Sequence, residues 1–178
     1  FQITNINQFE EILFAWQGEY HWILMNDIDA SETRYWYPKV IDGDTLYYRG
    51  FASSNAEDIK SLDGRGHIIK NLYMYNASKN VNFSLFNNVE TNITRVGFEN
   101  FTIKAENGSC RLLSVKKSGR VEECFIKGTM EGSSTNGNRS SSGFGTLAGS
   151  GVVRNCYADI TLITKSGTNF GEIFKDGT

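Results

Sequence analysis

The sequence lacks, or contains few of, several features that would favour other architectures. Its 178 residues contain one proline and three cysteines, and an odd number of cysteines does not suit a disulfide framework. No apolar run reaches the roughly 18 residues that a membrane helix needs. The formal net charge of −2 leaves no basic surplus to neutralise phosphates. We therefore expect no membrane span in this segment and no binding of nucleic acid.

The sequence also lacks a recognisable active-site pattern. It has no glycine-rich phosphate loop, nucleophile elbow or zinc-ligand spacing, and its aspartate pairs at 27–29 and 42–44 do not follow a calcium-loop pattern. Asp63 and His67 could act as an acid and a base, but the glycines between them favour a tight turn. We predict no catalytic residue, no metal ligand and no cofactor, and we lean towards a protein that is not an enzyme.

What the sequence does have is a recurring apolar triplet, spaced by three and then by two residues. The copies begin 24, 28 and 32 residues apart. Residues two apart in a strand share a face, so the three-residue step needs a bend between two strands. The four copies are Ile69, Leu72 and Met74; Ile93, Val96 and Phe98; Val121, Cys124 and Ile126; and Val153, Cys156 and Ala158.

Repeats of this length predict an all-β solenoid whose successive turns stack on one another. Cys124 and Cys156 hold the same triplet position, so we expect them to stack about 4.8 Å apart as buried free thiols. The polar stretch 131–142 has almost nothing to bury and should form a loop. One interior file should contain the four residues that begin the triplets: Ile69, Ile93, Val121 and Val153.

The first 58 residues do not follow the repeat. Asn7 and Glu10 have the spacing of an N-cap and its partner, which predicts a short helix over residues 7–17 that covers the end of the solenoid. We assign residues 1–58 to this cap and the first irregular turns, and 59–178 to regular repeats of the same domain. Because the pattern stops within a fifth repeat, we expect the chain to be a segment of a longer protein. The apolar residues of the helix are Phe9, Ile12, Leu13 and Trp16.

Two stretches resemble one known architecture. Residues 20–31, followed by Trp36 and Pro38, and residues 62–72 are similar to the opening of right-handed parallel β-helix proteins of bacterial surfaces and phage tails. The pectate-lyase-like proteins share that fold. The resemblance implies that the solenoid is a right-handed parallel β-helix.

A third stretch resembles the repeat named for its GLUG motif. Residues 143–158 end in Val-Arg-Asn-Cys-Tyr-Ala, close to that motif, and residues 118–126 are a looser copy in which Glu123 and Phe125 replace its asparagine and tyrosine. Parallel β-helices occur in adhesins, phage attachment proteins, polysaccharide lyases and passive stalks. The resemblance therefore implies more about the fold than about the function.

One surface feature of the predicted solenoid is a candidate binding site. The position after each bend should point outward, and it is occupied by Tyr73, Gly97, Phe125 and Tyr157. We predict that Tyr73, Phe125 and Tyr157 form an interrupted aromatic column that binds a ligand. The alternative is that a neighbouring loop covers these rings.

These observations favour an attachment or stalk module that is not an enzyme. We expect it to belong to a bacterial cell-surface adhesin or a phage tail protein and to contact a surface glycan or protein, outside the cell or on the virion. A homo-oligomer is expected, a trimer in the phage case. The alternatives are a fragment of a polysaccharide lyase or hydrolase and a passive structural spacer.

Overall fold

A computed structural model describes residues 1–12, 20–52, 54–55, 59–79, 83–89, 92–107, 110–115, 119–133, 140–146, 151–165 and 169–170. This part of the chain is mostly β, with three parallel sheets and one antiparallel hairpin. No helix within these ranges is long and apolar enough to cross a membrane.

The chain contains short helices only near its beginning, and strands throughout. Helix α1 spans Ile6–Glu11, and a 3-10 helix spans Ser31–Tyr35. In chain order the strands are β1 Gln2–Ile3, β2 Tyr20–Leu24, β3 Ile28–Asp29, β4 Pro38–Ile41, β5 Asp44–Tyr48, β6 Ser54–Asn55, β7 Ile59–Asp63, β8 Ile68–Lys70, β9 Tyr73–Lys79, β10 Phe83–Val89, β11 Asn92–Thr94, β12 Gly97–Asn107, β13 Cys110–Val115, β14 Arg120–Glu122, β15 Phe125–Ser133, β16 Ser140–Thr146, β17 Val152–Arg154, β18 Tyr157–Lys165 and β19 Asn169–Phe170.

Each parallel sheet takes strands from successive repeats. The first sheet has the order β1-β2-β7-β11-β14-β17, the second β3-β8-β12-β15-β18 and the third β6-β10-β13-β16-β19, while β9 also pairs with β12. From β2 onward the chain visits the first, second and third sheets in turn, and each strand pairs in parallel with its counterpart in the next repeat. The prediction of a mostly β chain with parallel pairing between repeats is confirmed. None of the three sheets closes on itself.

Three of the four residues predicted to share one file do so. Ile93 pairs with Val121, and Val121 pairs with Val153, all in the first sheet. Their counterpart in the preceding repeat is Leu62. The prediction was wrong for Ile69, which lies in the second sheet on strand β8.

The error arose because two different bends give the same apolar spacing. At the corner between the first and second sheets, and also within the second sheet, a single residue with positive φ turns the chain. Such a residue takes the place of a regular strand position and brings apolar residues three apart to the same side. The Ile69 triplet is therefore the counterpart of the apolar residues Phe98, Phe101 and Ile103. The corner residues are Arg95, Glu123 and Asn155, and those within the second sheet are Asn71 and Asn100.

The two asparagines in the second sheet form a ladder of side-chain hydrogen bonds. Asn100 Nδ2 donates to Asn71 Oδ1 at 2.7 Å, and Asn71 Nδ2 donates to Asp29 Oδ1 at 2.9 Å. The Asn71 amide and the backbone N–H of Ser31 lower the pKa of Asp29. The ladder ties three adjacent strands together at the bend.

The three sheets enclose an apolar interior. Its members come from all of them and are almost inaccessible to solvent, and burying each large side chain contributes about 1.5–3 kcal/mol. In the repeat that contains β17 and β18, Val153 and Ala158 are only partly buried. The interior includes Leu62, Ile69, Met74, Phe86, Phe98, Ile103, Leu113, Val121, Ile126 and Met130.

The N-terminal helix exists, but its cap was predicted at the wrong residue. The N-cap is Asn5, whose Oδ1 accepts a hydrogen bond from the backbone N–H of Gln8 at 3.0 Å. The Gln8 side chain accepts a bond from the backbone N–H of Thr4 at 2.8 Å, so the predicted Asn7 and Glu10 pair is not the capping pair. The buried side chains are Ile6, Phe9 and Ile12, while the predicted contacts of Leu13 and Trp16 and the end of the helix at residue 17 lie outside the described residues.

The helix packs on the interior that the repeats enclose. The Phe9 ring lies 5.4 Å from the ring of Phe51 and 6.0 Å from that of Phe86, measured between centroids. All three side chains are buried. The capping role that the sequence assigned to this helix stays a prediction.

Between β3 and β6, within the first repeat, the chain forms an antiparallel hairpin. Strands β4 and β5 are joined by Asp42 and Gly43, with φ of 52° and 89°, as a two-residue turn of primed type requires. At its base, the N–H of Gly50 donates to the carbonyl of Trp36 at 3.2 Å. The hairpin lies outside the interior, and its strands are largely exposed.

The polar stretch 131–142 is not a loop over its whole length. Glu131 and Gly132 continue β15, and β16 begins at Ser140. The predicted loop is therefore wrong at both ends, because a parallel neighbour satisfies the backbone of these polar residues. Residues 134–139 lie outside the described part.

The cysteines are free thiols, and two of them are equivalent in neighbouring repeats. Cys124 and Cys156 precede the paired residues Phe125 and Tyr157. Cys124 is buried as predicted, but Cys156 is only partly buried. Contact between the two thiols and burial raise the pKa of Cys124, and the same contact lowers the pKa of Cys156 to about 7. Cys110 is buried separately, and burial raises the pKa of its thiol to about 12.

Candidate ligand-binding site

The hairpin and the outward face of the second sheet line a cavity of about 210 Å³, which we call the tyrosine pocket. Aromatic rings combined with a few charged groups are typical of sites for small polar ligands. The side chains at this cavity are Tyr47, Tyr73, Tyr75, Lys104, Glu106 and Glu131.

Tyr47 and Tyr75 form the aromatic corner of the tyrosine pocket. Tyr47 comes from β5 of the hairpin and Tyr75 from β9, and their ring centroids lie 5.0 Å apart at an interplanar angle of 78°. Burial and a hydrogen bond to the Glu106 carboxylate raise the pKa of Tyr75. The Tyr75 phenol therefore stays protonated at neutral pH.

Tyr73 is held in place from the side of the 3-10 helix. Its backbone N–H donates to Thr33 Oγ1 at 3.0 Å, and the Arg34 guanidinium lies 5.1 Å from its ring centroid. Its backbone carbonyl accepts a bond from the N–H of Phe51 at 2.8 Å. Arg34 covers one face of the ring, so Tyr73 contributes a fixed wall rather than an open stacking surface.

The charged part of the tyrosine pocket is an ion pair between side chains on the adjacent strands β12 and β15. Lys104 and Glu131 are directly paired in register, and their side chains lie 3.0 Å apart from Nζ to Oε2. Side chains opposite each other on neighbouring strands point to the same side of a sheet. The pair therefore presents one donor and one acceptor group beside the tyrosines.

A larger cavity of about 510 Å³, the polar groove, lies on the same face of the second sheet. Lys70, Glu99, Lys127 and Asp159 occupy successive strands in register, so their charges alternate across the groove. Lys70 lies 3.5 Å from Asp27. Within the described residues, Glu99, Lys127 and Asp159 make no ion pair.

The predicted aromatic column is not one continuous feature. Gly97, Phe125 and Tyr157 are paired in register, but Tyr73 pairs with Thr102, so the prediction was wrong in placing it in this file. The cause is the additional bend at Asn71, which shifts Tyr73 along the sheet.

The three predicted binding residues therefore occupy two places. Tyr73 lies at the tyrosine pocket, whereas Phe125 and Tyr157 line neither that pocket nor the polar groove. The Phe125 ring lies over Gly97, where an added Cβ would overlap it. Tyr157 is 61% exposed. Their role in binding stays a prediction.

Asp63 and His67 have the turn role that the glycines around them indicated. Asp63 accepts a hydrogen bond from the backbone N–H of Arg65 at 2.9 Å and forms an ion pair with Arg95 of the next repeat. The His67 Nδ1 lies 3.3 Å from Asp27 Oδ1. The contacts of Asp63 and His67 thus join neighbouring turns of the chain.

Within the described ranges, no group of three or more potential metal ligands occurs.

No family model, no curated protein and no solved structure matches the chain. The resemblance to β-helix and GLUG-repeat proteins therefore stays a prediction from the sequence. Any proposal about function rests on the geometry of this molecule.

Sequence reasoning did not find most of the tyrosine pocket. It missed the hairpin that carries Tyr47, although Asp42-Gly43 between apolar residues is a strong hairpin signal. It also placed Glu131 in a loop. Once these two elements are known, strand alternation brings Tyr75 and Lys104 to the same outward face.

Proposed function

We propose that this chain is an attachment module that holds a glycan in the tyrosine pocket. It is a segment of right-handed parallel β-helix from a bacterial cell-surface adhesin or a phage tail protein. Its partner is a glycan of a cell surface, its place is outside the cell or on the virion, and in a phage tail it assembles as a trimer.

The β-helix part of the proposal is supported by the order of pairing. The same three sheets recur in the same sequence, and equivalent strands pair in parallel from one repeat to the next. The apolar residues of all three sheets face one interior. Arg95, Glu123 and Asn155 turn the chain at equivalent corners with nearly the same φ.

The observation that carries the binding part is the pairing of Tyr47 with Tyr75 beside Lys104 and Glu131. Sugars present apolar C–H faces and a rim of hydroxyl groups, so they suit aromatic rings next to charged donors and acceptors. The hairpin and the repeats each supply part of this arrangement.

A panel of immobilised oligosaccharides tests the proposal. We expect the 178-residue chain to bind members of the panel, and Tyr47→Ala and Tyr75→Ala to weaken this binding by more than about 1 kcal/mol. Tyr35→Ala is the matched control, because it removes a tyrosine that is 67% exposed and lines neither cavity. An unchanged affinity of both pocket variants would contradict the proposal, and the absence of any binding would favour a structural spacer.

A second function, cleavage of a polysaccharide, is favoured by one observation. Glu99 and Asp159 face the polar groove from strands that are two apart, which places them about 10 Å from each other. This is near the upper end of the carboxylate separation in inverting glycosidases. Incubation with each bound glycan, followed by measurement of new reducing ends, tests this function. Products that disappear in Glu99→Gln would support an enzyme.

A further inference from the structure

We propose that the tyrosine pocket and the polar groove together bind one uncharged oligosaccharide. This inference rests on the proposed function, because it assumes that the ligand is a glycan. It adds the class of glycan and the path that the glycan takes across the second sheet.

The two cavities are neighbours along the same strands. Thr129 lines the polar groove, and Glu131, two residues further along β15, lines the tyrosine pocket. Two repeats earlier, Asn71 lines the polar groove and Tyr73 lines the tyrosine pocket. Residues two apart in a strand lie about 7 Å from each other on the same face. The two cavities are therefore adjacent along β15, and a ligand can pass from one to the other.

The combined surface has no excess of positive charge. It contains three lysines and four carboxylates, and along the groove the two signs alternate from strand to strand. A polyanion lying across Lys127 would meet Glu99 and Asp159 on the two adjacent strands. Like charges this close repel each other, which disfavours uronic acid, sialylated and sulfated chains.

The same alternation suits a ligand whose hydroxyl groups are both donors and acceptors. Glu99 and Asp159 accept hydrogen bonds, Lys127 donates them, and Thr129 does both. Within the described residues, those three charged side chains make no ion pair with one another, so their hydrogen-bonding groups face the groove. Hydrogen bonds between charged groups and neutral hydroxyls are strong and depend little on salt.

The length of the surface indicates more than one sugar unit. From Lys127 to Glu131 the strand β15 advances about 13 Å, which exceeds the width of a single sugar ring. We assign one sugar to the corner of Tyr47 and Tyr75, and the units that follow it to the groove. Because Tyr75 lies on β9 and Lys127 on β15, the chain of sugars then runs obliquely across β12.

The test compares neutral gluco-, manno- and galacto-oligosaccharides with oligogalacturonates and with sialylated and sulfated oligosaccharides on one array. Neutral ligands that bind are then titrated calorimetrically as monosaccharides and as longer oligomers, at low and at high salt. We expect neutral oligomers to bind at least about tenfold more tightly than their monosaccharides. Their affinity should change less than about twofold with salt, because an uncharged ligand is not screened.

Two groove variants locate the additional sugar units. Lys127→Gln and Thr129→Val should each weaken the binding of the longer oligomers by about fivefold to tenfold and leave monosaccharide binding unchanged. Arg154→Gln is the matched control for loss of one positive charge, since Arg154 is exposed on the first sheet.

The outcomes separate this inference from the proposed function. Preferential binding of acidic glycans, a steep fall of affinity with salt, or wild-type affinity of both groove variants for the longer oligomers would overturn the inference and leave the tyrosine pocket as a glycan site. If no glycan on the array binds the unmodified chain, the proposed function itself fails.

Discussion

The repeats and the hairpin β4–β5 are both built of β-strands, but they bury their side chains to very different extents. In the repeats, Ile69 and Phe98 are fully buried, whereas Val40 and Leu46 in the hairpin are 49% and 58% exposed. Among the described residues, parallel neighbours hold the inner strands of the three sheets on both edges, while the hairpin strands pair only with each other. The repeats therefore supply most of the stability, and the hairpin supplies one residue of the tyrosine pocket, Tyr47.

Truncating a buried side chain of the repeats should have the largest effect. Phe98→Ala leaves a cavity between the sheets, and we expect it to lower the free energy of unfolding by about 3–5 kcal/mol. Leu46→Ala in the hairpin should change it by less than about 0.5 kcal/mol. Urea unfolding followed by far-UV circular dichroism measures both, and equal losses would remove the distinction between the two regions.

A smaller loss of stability is expected from a substitution at the contact between two neighbouring repeats. A Cβ added at Gly97 would overlap the ring of Phe125 in the next repeat, so Gly97→Ala should cost about 1–3 kcal/mol of stability. The double variant Gly97→Ala with Phe125→Ala removes the overlap. Its stability should therefore equal or exceed that of Phe125→Ala alone, and an additive loss in urea unfolding would show that the two residues are not stacked.

Two glycines with positive φ and open surroundings give a matched pair. Gly66 lies in a turn of the repeats and Gly43 in the hairpin turn, with φ of 87° and 89°. Alanine at either position is strained by about 1 kcal/mol. We expect Gly66→Ala to lower the stability of the whole fold by that amount. Gly43→Ala should instead leave the urea midpoint unchanged and speed hydrogen exchange of the β4 and β5 amides about fivefold.

A global loss in Gly43→Ala as large as that in Gly66→Ala would show that the hairpin unfolds together with the repeats. Urea unfolding and amide hydrogen exchange are measured on both variants, and neither measurement requires a ligand.

The smallest effect concerns the charged contact between two repeats. Partial burial raises the pKa of Asp63, but the ion pair with Arg95 and the bond from the Arg65 N–H outweigh it, and the net pKa lies below the ordinary value of 3.8. A carboxylate with a lowered pKa stabilises the fold above pH 3.8, and this contribution is lost as the pH falls through the lowered value. Asp63→Asn should therefore be less stable than wild type at neutral pH and lose less stability on acidification.

Thermal unfolding between pH 7 and pH 2.5 measures this difference in slope. Asp42→Asn in the hairpin is the control for loss of one exposed carboxylate. If Asp63→Asn loses as much stability on acidification as wild type does, the contact of Asp63 with Arg95 does not contribute to the stability of the fold.

The repeat architecture was largely predictable because its signals are local and recur. The apolar spacing around Ile93, Val121 and Val153 identified one file of the first sheet correctly. The same spacing at Ile69 came from a different bend, and the pattern of apolar residues does not distinguish a corner between sheets from a bend within one. Asparagine tolerates positive φ better than most residues, but it occupies the corner at 155 as well as the bends at 71 and 100, so residue type does not separate the two bends either.

The tyrosine pocket was much less predictable than the repeats. Tyr73 was singled out, but its neighbours Tyr47 and Tyr75 meet only because the hairpin folds back over the second sheet. Nothing in the local sequence gives the direction in which a hairpin projects from a stack of repeats. The contact between distant segments decides the site, and local sequence patterns do not specify that contact.

The central claim is that the repeats stabilise the fold and that the hairpin is needed for glycan binding. Replacing residues 38–48 by Asn-Gly tests this claim most directly. The N–H groups of Arg49 and Gly50 already bond to the carbonyls of Tyr37 and Trp36, so a short turn can close this gap. We predict that the shortened chain keeps its parallel sheets and its cooperative urea unfolding but no longer binds the glycans that the full chain binds. Loss of cooperative unfolding, or binding as tight as that of the full chain, would contradict the account.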